Sequence, residues 1–219
     1  MEFKEFYPDL IQATKETLFM LGIGLTIALI FGGLFGILLF LWRKDGLLQN
    51  KFLYFFVGGL VNVVRSFPFI ILMIFVIPVT RTLTGTTIGP IAASVPLSIS
   101  AIAYFARLVE IALNDVPKGV IESAIAMGAS IKQIVFSVLL SEAKSSLILS
   151  FTTLTVSYIS YTAIAGVVGG GGIGDLAIRY GYYRFETKVM VVTVIILVVF
   201  VQAVQLLGNF LAVKLNNKK

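Results

Sequence analysis

Residues 17–42, "TLFMLGIGLTIALIFGGLFGILLFLW", contain no charged side chain. About 20 apolar residues wound as helix cross the hydrocarbon core of a bilayer. Backbone amides in hydrocarbon must find partners within their own segment, so a run like this is read as a membrane helix. Trp42 marks its boundary, and Arg43 and Lys44 follow directly. The leader "MEFKEFYPDLIQATKE" is acidic on balance and the run is too long for a cleaved signal peptide, so the segment is expected to stay in place.

Four further runs follow. Residues 52–79 are overlong for one straight span and carry Asn62 and Arg65 in their first half. Pro68 and Pro78 punctuate this run. Residues 52–65 are therefore read as a turn into the membrane at its cytoplasmic interface, and 66–79 as the deeper part. The remaining runs are 88–106, 146–168 and 189–213. Five spans are expected in an all-α polytopic protein, with residues 1–16 as an extracytoplasmic N-terminal segment and 214–219 as a cytoplasmic tail.

Composition agrees with lipid as the main solvent. The chain is 58% hydrophobic and 13% charged, against about 45–50% and about 25% in soluble domains. Without cysteine there is no disulfide framework, thiolate metal site or thiol nucleophile. Without histidine the commonest metal ligand and general base are missing too. The net charge of +6 is scattered beside the apolar runs, as membrane anchors are, so nucleic acid is not an expected partner.

Lysine and arginine in short loops set the direction of insertion. Arg43, Lys44, Lys51, Arg107, Lys118, Lys132, Lys144, Lys214, Lys218 and Lys219 fall on one side of a five-span chain. Lys4, Lys15, Arg81, Arg179, Arg184 and Lys188 fall on the other, among acids. The bias places the N-terminus outside, the C-terminus inside, and residues 115–143 in the cytoplasm.

That stretch interrupts the apolar pattern. Val120, Ile121, Ala124, Ile125, Gly128, Ile131, Val135, Val138 and Leu139 recur at spacings of three and four, with polar residues between them. Asp115 is suited to cap a first short helix that has Pro117 in its opening turn. Gly128 suits the end of that helix, and Ser130 with Gln133 makes a capping-box pattern for a second. The expectation is a bent amphipathic hairpin with small residues at the bend. Two uses are open: a helix pair lying in the headgroups, or an element on which a soluble partner docks. The polar face is mixed in sign and lacks tryptophan, which weakens the first.

"ESAIAMGASIKQIVFSVLLSEA" resembles the signature cytoplasmic loop of ABC importer permeases: Glu-Ala-Ala, three residues, Gly, nine residues, Ile, any residue, Leu-Pro. Glu122, Ala124, Gly128 and Leu140 match it; Ser123, Val138 and Ser141 depart from it. Over nearly its whole length the chain is similar to the methionine-uptake permeases, through "NVVRSFPFIIL", "ARLVEIAL", "ESAIAMGAS" and "GGGGIGDLAIRYGYYRFET". The resemblance implies a type I ABC importer permease fold over residues 17–213. It also implies a homodimer around a central pathway and one separate ATPase docked under each copy, which binds the ATP and magnesium. An extracytoplasmic binding protein or lipoprotein would deliver methionine. It implies that Glu122, Ser123, Ala124, Ala126, Met127, Gly128, Ala129 and Ser130 carry the coupling to the ATPase. Another small amino acid or related solute is the alternative cargo.

Other features leave alternatives open. Gly169 to Gly174 contain G-x-G-x-x-G, but the run follows an apolar span and not a strand, so no dinucleotide site is expected. The run is either a flexible outer turn or a place of close backbone approach. Nearby Asp175, Arg179, Tyr182 and Arg184 are candidate contacts for a binding protein. Arg65 either snorkels to the inner interface, caps carbonyls freed by Pro68, or belongs to the pathway. Arg107 and Glu110 are spaced to pair on one helix. Ser150, Thr153, Ser157 and Tyr161 share one face of the fourth span and suit either interhelical hydrogen bonding or a polar path. An ion-coupled carrier is disfavoured because no acid lies in the middle of any run. No paired intramembrane carboxylates supply a general base, so no catalytic site is expected.

Overall fold

Helix is the only regular structure among the described residues, 3–216 of the computed structural model. Residues 1, 2 and 217–219 lie outside them, and with them Lys218 and Lys219 of the expected inner tail; the side chain of Lys4 is likewise outside. The first run is longer than its charge-free part. Helix α1 (Phe3–Ile27) passes through a single π-helical segment, Ala28–Gly32, into α2 (Gly33–Trp42). The acidic leader is thus one continuous helix with the span.

The second run is broken. Helix α3 (Lys51–Ser66) starts under an Asn50 side-chain cap on the Leu53 amide at 3.0 Å. Helix α4 (Phe69–Phe75) leaves it at an angle of 107°. Pro68 stands at the break, where it disfavours helix for Phe67 and donates no hydrogen bond itself. Helix α5 (Ile77–Thr84) follows with Pro78 in its first turn and ends on Gly85 at φ 73°.

Helix α6 (Pro90–Asn114) outlasts the expected span by a further two turns. The charges at Arg107 and Glu110 end the apolar run without ending the helix, because they neutralise each other: Arg107 Nη1 lies 2.5 Å from Glu110 Oε2. Glu110 is 3% exposed. Its second oxygen accepts from Tyr54 at 3.1 Å, and Arg107 Nη2 donates to Asn62 at 2.7 Å. This network, anchored on the buried Glu110, ties α3 to α6.

The chain continues through α7 (Lys118–Ala126), α8 (Ile131–Gln133), a π-helical segment (Ile134–Leu139) and α9 (Leu140–Glu142). It enters α10 (Lys144–Val167) across the single residue Ala143. Helix α11 (Gly172–Leu176), a third π-helical segment (Ala177–Tyr182) and α12 (Thr187–Lys214) complete it. Four helical stretches are long and apolar enough to cross a membrane: Phe6–Trp42, Pro90–Asn114, Lys144–Val167 and Thr187–Lys214. The bent α3–α4 pair, taken as one span, makes five.

Within its most apolar window α6 is 56% buried and α12 only 11%, so α6 is the axis of the bundle and α12 its most exposed edge. Small residues let the backbones close on α6. A Cβ on Gly32 would sit 2.9 Å from the Ile102 carbonyl oxygen, and one on Gly36 2.6 Å from that of Ala106. This is the small-xxx-small packing that replaces hydrophobic drive in a membrane.

Candidate coupling hairpin and pathway face

The hairpin 115–143 is built from local rules. The first helix begins at Lys118 with Pro117 as its N-cap residue, while Asp115 ends the preceding α6 and makes no side-chain cap. The expected Asp115 cap is therefore corrected: Pro117, fixed at φ −59°, ψ 131°, already turns the chain between the two helices. Gly128, at φ 79°, closes α7. The Met127, Gly128 and Ala129 amides donate to Ser123, Ile125 and Ala124 carbonyls at 2.9–3.1 Å. Ser130 and Gln133 form the reciprocal capping box that opens the second arm.

The root of this hairpin is core. Val116, Ala124, Ile134, Val135, Leu139 and Ala143 belong to one buried cluster with Val109 and Leu113 of α6 and Leu154 of α10. Its tip is bare. Ile125 is 50% exposed and Met127 81%, and Glu122, Ser123, Ala126, Gly128 and Ser130 are exposed beside them. Two points of the sequence reading change. Ala124, grouped with the docking residues, faces inward at 3% exposure, and Ala129 is half-buried. Ile125 and Ile131 leave the expected buried face because the chain reverses at Gly128. Ile134, which the three-and-four spacing passed over, is 2% exposed; the π-helical segment adds a residue to the turn and moves the buried stripe.

On α10 two sets of polar side chains separate. Thr152, Thr155, Tyr158 and Thr162 are buried. The three threonines donate to carbonyls of their own helix at 2.7–2.8 Å, and Tyr158 donates to Met20 O at 3.3 Å. Thr153 is exposed, and Ser150, Ser157 and Tyr161 are half-buried on the opposite, open face. Tyr161 stacks on Phe69 of α4 with ring centres 4.8 Å apart. Arg65, the last charge before the α3–α4 bend, lies over the Tyr104 ring at 5.8 Å. Among the described residues its guanidinium has no ion pair and caps no carbonyl near Pro68. An apolar groove of about 770 Å³ lined by Leu25, Leu34, Phe105, Phe136, Phe151 and Leu207 has no charged wall.

The glycine run at the other end is tightly built, so the flexible-turn reading gives way to close approach. Glu16 Oε2 accepts from the Gly172 amide at 2.8 Å and Thr17 Oγ1 from that of Ile173 at 2.9 Å. A Cβ on Gly174 would fall 2.3 Å from Ala163 Cα, and one on Gly166 2.2 Å from the Asp175 nitrogen. Asp175 pairs with Arg179 at 2.7 Å. Arg184 covers the Tyr180 ring at 4.6 Å, and Tyr180 donates a short hydrogen bond to Asp9. That bond holds the phenol proton and raises Tyr180 above its ordinary pKa. Tyr182, Tyr183 and Phe185, at 65–85% exposure, project from this platform. The sequence reading found Asp175, Arg179, Tyr182 and Arg184 but missed Glu16 and Thr17, whose partners are more than 150 residues away. It also missed Tyr104 as the neighbour of Arg65; its place one turn before Arg107 on α6 was the available signal.

Comparison with known proteins bears on both ends. The family model described as binding-protein-dependent transport system inner membrane component matches residues 24–218. A Vibrio cholerae protein named probable D-methionine transport system permease protein MetI is 45% identical over 95% of this chain and 93% of its own. The Bacillus subtilis methionine import system permease protein MetP is 41% identical over 95% of this chain and 96% of its own. A solved structure of the MetNI methionine ABC transporter in an inward-facing conformation superimposes with a TM-score of 0.94, at 37% identity, over 98% of this chain and 99% of that one.

Proposed function

Because the chain belongs to the family of binding-protein-dependent transport system inner membrane components, we propose that it is the permease subunit of an ATP-driven methionine importer in the cytoplasmic membrane. Relatives named for methionine transport, similar over almost the entire chain, support this cargo. Two copies enclose the pathway. An ATP-binding-cassette subunit that holds ATP and magnesium docks beneath each copy, and a binding protein delivers methionine to the outer face. This chain supplies no catalytic group; hydrolysis belongs to the partner. The N-terminus is outside and the C-terminus inside, which puts the hairpin at the ATPase and the Tyr182–Tyr183–Phe185 platform at the binding protein.

One observation carries the reading: an exposed apolar bend, Ile125 and Met127, stands on a root packed into the core. A bend that holds two apolar side chains in water on a rigid root is suited to be covered by a partner. Displacement of the tip moves Ala124, Ile134 and Leu139, and through them the inner ends of α6 and α10. Ala143 is the only residue between α9 and α10, so little motion is lost in a loop. ATP-driven closure of the two ATPases thereby becomes a rocking of the spans between outward and inward access.

Reconstitution tests the function. Liposomes holding the chain with its ATPase and binding protein are expected to accumulate radiolabelled methionine only with ATP, and to continue when ionophores collapse ion gradients. Uptake driven by an ion gradient without ATP would contradict the proposal, as would ATP-driven uptake of another amino acid in preference to methionine.

A further inference from the structure

Within the five apolar runs Arg65 is the only charged residue. It lies over Tyr104, two residues before the inner end of the apolar run 88–106, and its side chain is exposed. A charge at the rim of a span faces protein or water and not lipid. Arg107, one turn further along α6, is neutralised by Glu110 and held by Asn62. Arg65, three residues after Asn62, has among the described residues only the Tyr104 ring beneath it. Its fork of N–H donors, which fits a carboxylate with two parallel hydrogen bonds, is unspent.

The surroundings decide what it is for. Tyr161, on the open face of α10, stacks on Phe69 just past the bend from Arg65, and Ser157, Thr153 and Ser150 continue from it along the same face. Hydroxyls of this kind accept from an ammonium and donate to an oxygen, and aromatic faces attract cations. No carboxylate lies on this face, so nothing holds an ammonium as strongly as Arg65 would hold an anion. We infer that Arg65 is the specificity residue of the pathway: with Tyr104 beneath it and Tyr161 past the bend, it takes the carboxylate of an amino-acid solute in passage. A single fixed charge, with the rest of the site neutral, binds firmly enough to select and weakly enough to release. The inference rests on the reading of the chain as an amino-acid importer permease.

The test uses the complete transporter in liposomes. Loss of a charge-assisted hydrogen bond is worth roughly ten- to hundredfold. Arg65→Gln is expected to lower methionine uptake by about that factor, with ATPase turnover and its stimulation by the binding protein within about twofold of wild type. Arg65→Lys, which keeps the charge and loses the fork, should recover part of the uptake. In the wild-type complex saturated with carboxyl-¹³C methionine, magic-angle-spinning NMR should show contact to ¹⁵N-labelled arginine that Arg65→Lys alters. Wild-type uptake by Arg65→Gln would overturn the inference and leave the importer reading standing. So would unimpaired uptake with a new cation leak, which would make Arg65 an electrostatic barrier. Should Arg65→Gln fail to assemble, absence of the NMR contact in the wild type overturns it equally. A wild-type complex that transports no amino acid removes both readings together.

Discussion

Gly128→Val is expected to stop methionine uptake while the protein still inserts and the ATPase still turns over. Gly128 lies at φ 79° with nothing within 4 Å of where a Cβ would stand, so a substitution there strains the backbone without any steric clash. A β-branched residue is a genuine outlier in that region, and left-handed backbone costs an L-residue about 1–2 kcal/mol. The chain escapes by opening the bend, which carries Ile125 and Met127 away from their docked positions. Misplacement of about 1 Å in a positioned element can cost a hundredfold, and uptake is expected to fall by about that much. Gly128→Asn separates backbone from surface, since asparagine tolerates the left-handed region but adds a side chain at the bend. If the ATPase grips the bend closely, Gly128→Asn also loses uptake. Equal transport by wild type and both variants, read as ATP-dependent accumulation per inserted protein, would mean that the hairpin transmits nothing.

Gly174→Ala is expected to destabilise the whole bundle. The new methyl would lie 2.3 Å from Ala163 Cα and 2.5 Å from the Ala163 carbonyl oxygen. Backbone of a packed helix cannot step aside as a flexible side chain can, so α11 must lift off α10. Overpacking of this kind typically costs about 1–3 kcal/mol and occasionally more; with main-chain atoms as the obstacle, the upper end of that range or beyond it is expected. Lifting α11 also breaks the Glu16 and Thr17 caps on Gly172 and Ile173, which fasten α1 to the outer turn. The measurement is the fraction of detergent-extracted protein that stays monodisperse after graded heating. Gly59→Ala, with nothing within 4 Å, is the control and should change little. Equal melting of the two variants would refute the tight packing of the glycine turn.

Local rules made much of this molecule legible. The capping box of Ser130 and Gln133, the end of α7 at Gly128 and the Arg107–Glu110 pair depend on residues within four positions of one another, and each was readable from spacing. Pro68 likewise announced the break in the second run, although its angle of 107° is a property of how α4 packs. Less legible features depend on distant partners. The end of α6 was placed early because Arg107 reads as a boundary charge until Asn62 and Tyr54 are seen to complete its network. The burial of Ile134 goes with a π-helical segment that no three-and-four count anticipates. The glycine run read as slack because glycine is permissive, whereas Gly166 and Gly174 owe their identity to the backbones they touch.

The proposed docking of the hairpin can be tested without disturbing the fold, because this chain has no cysteine and an introduced thiol is the only one it carries. Met127→Cys, at a position of the tip that is 81% exposed, would carry a benzophenone label in membranes that hold the assembled transporter. Illumination should join it to the ATP-binding-cassette subunit in high yield, while a label at Val199→Cys, 61% exposed in the middle of α12, should not reach that subunit. Labels at both positions that find lipid alone would contradict the claim that an ATP-hydrolysing partner grips this hairpin.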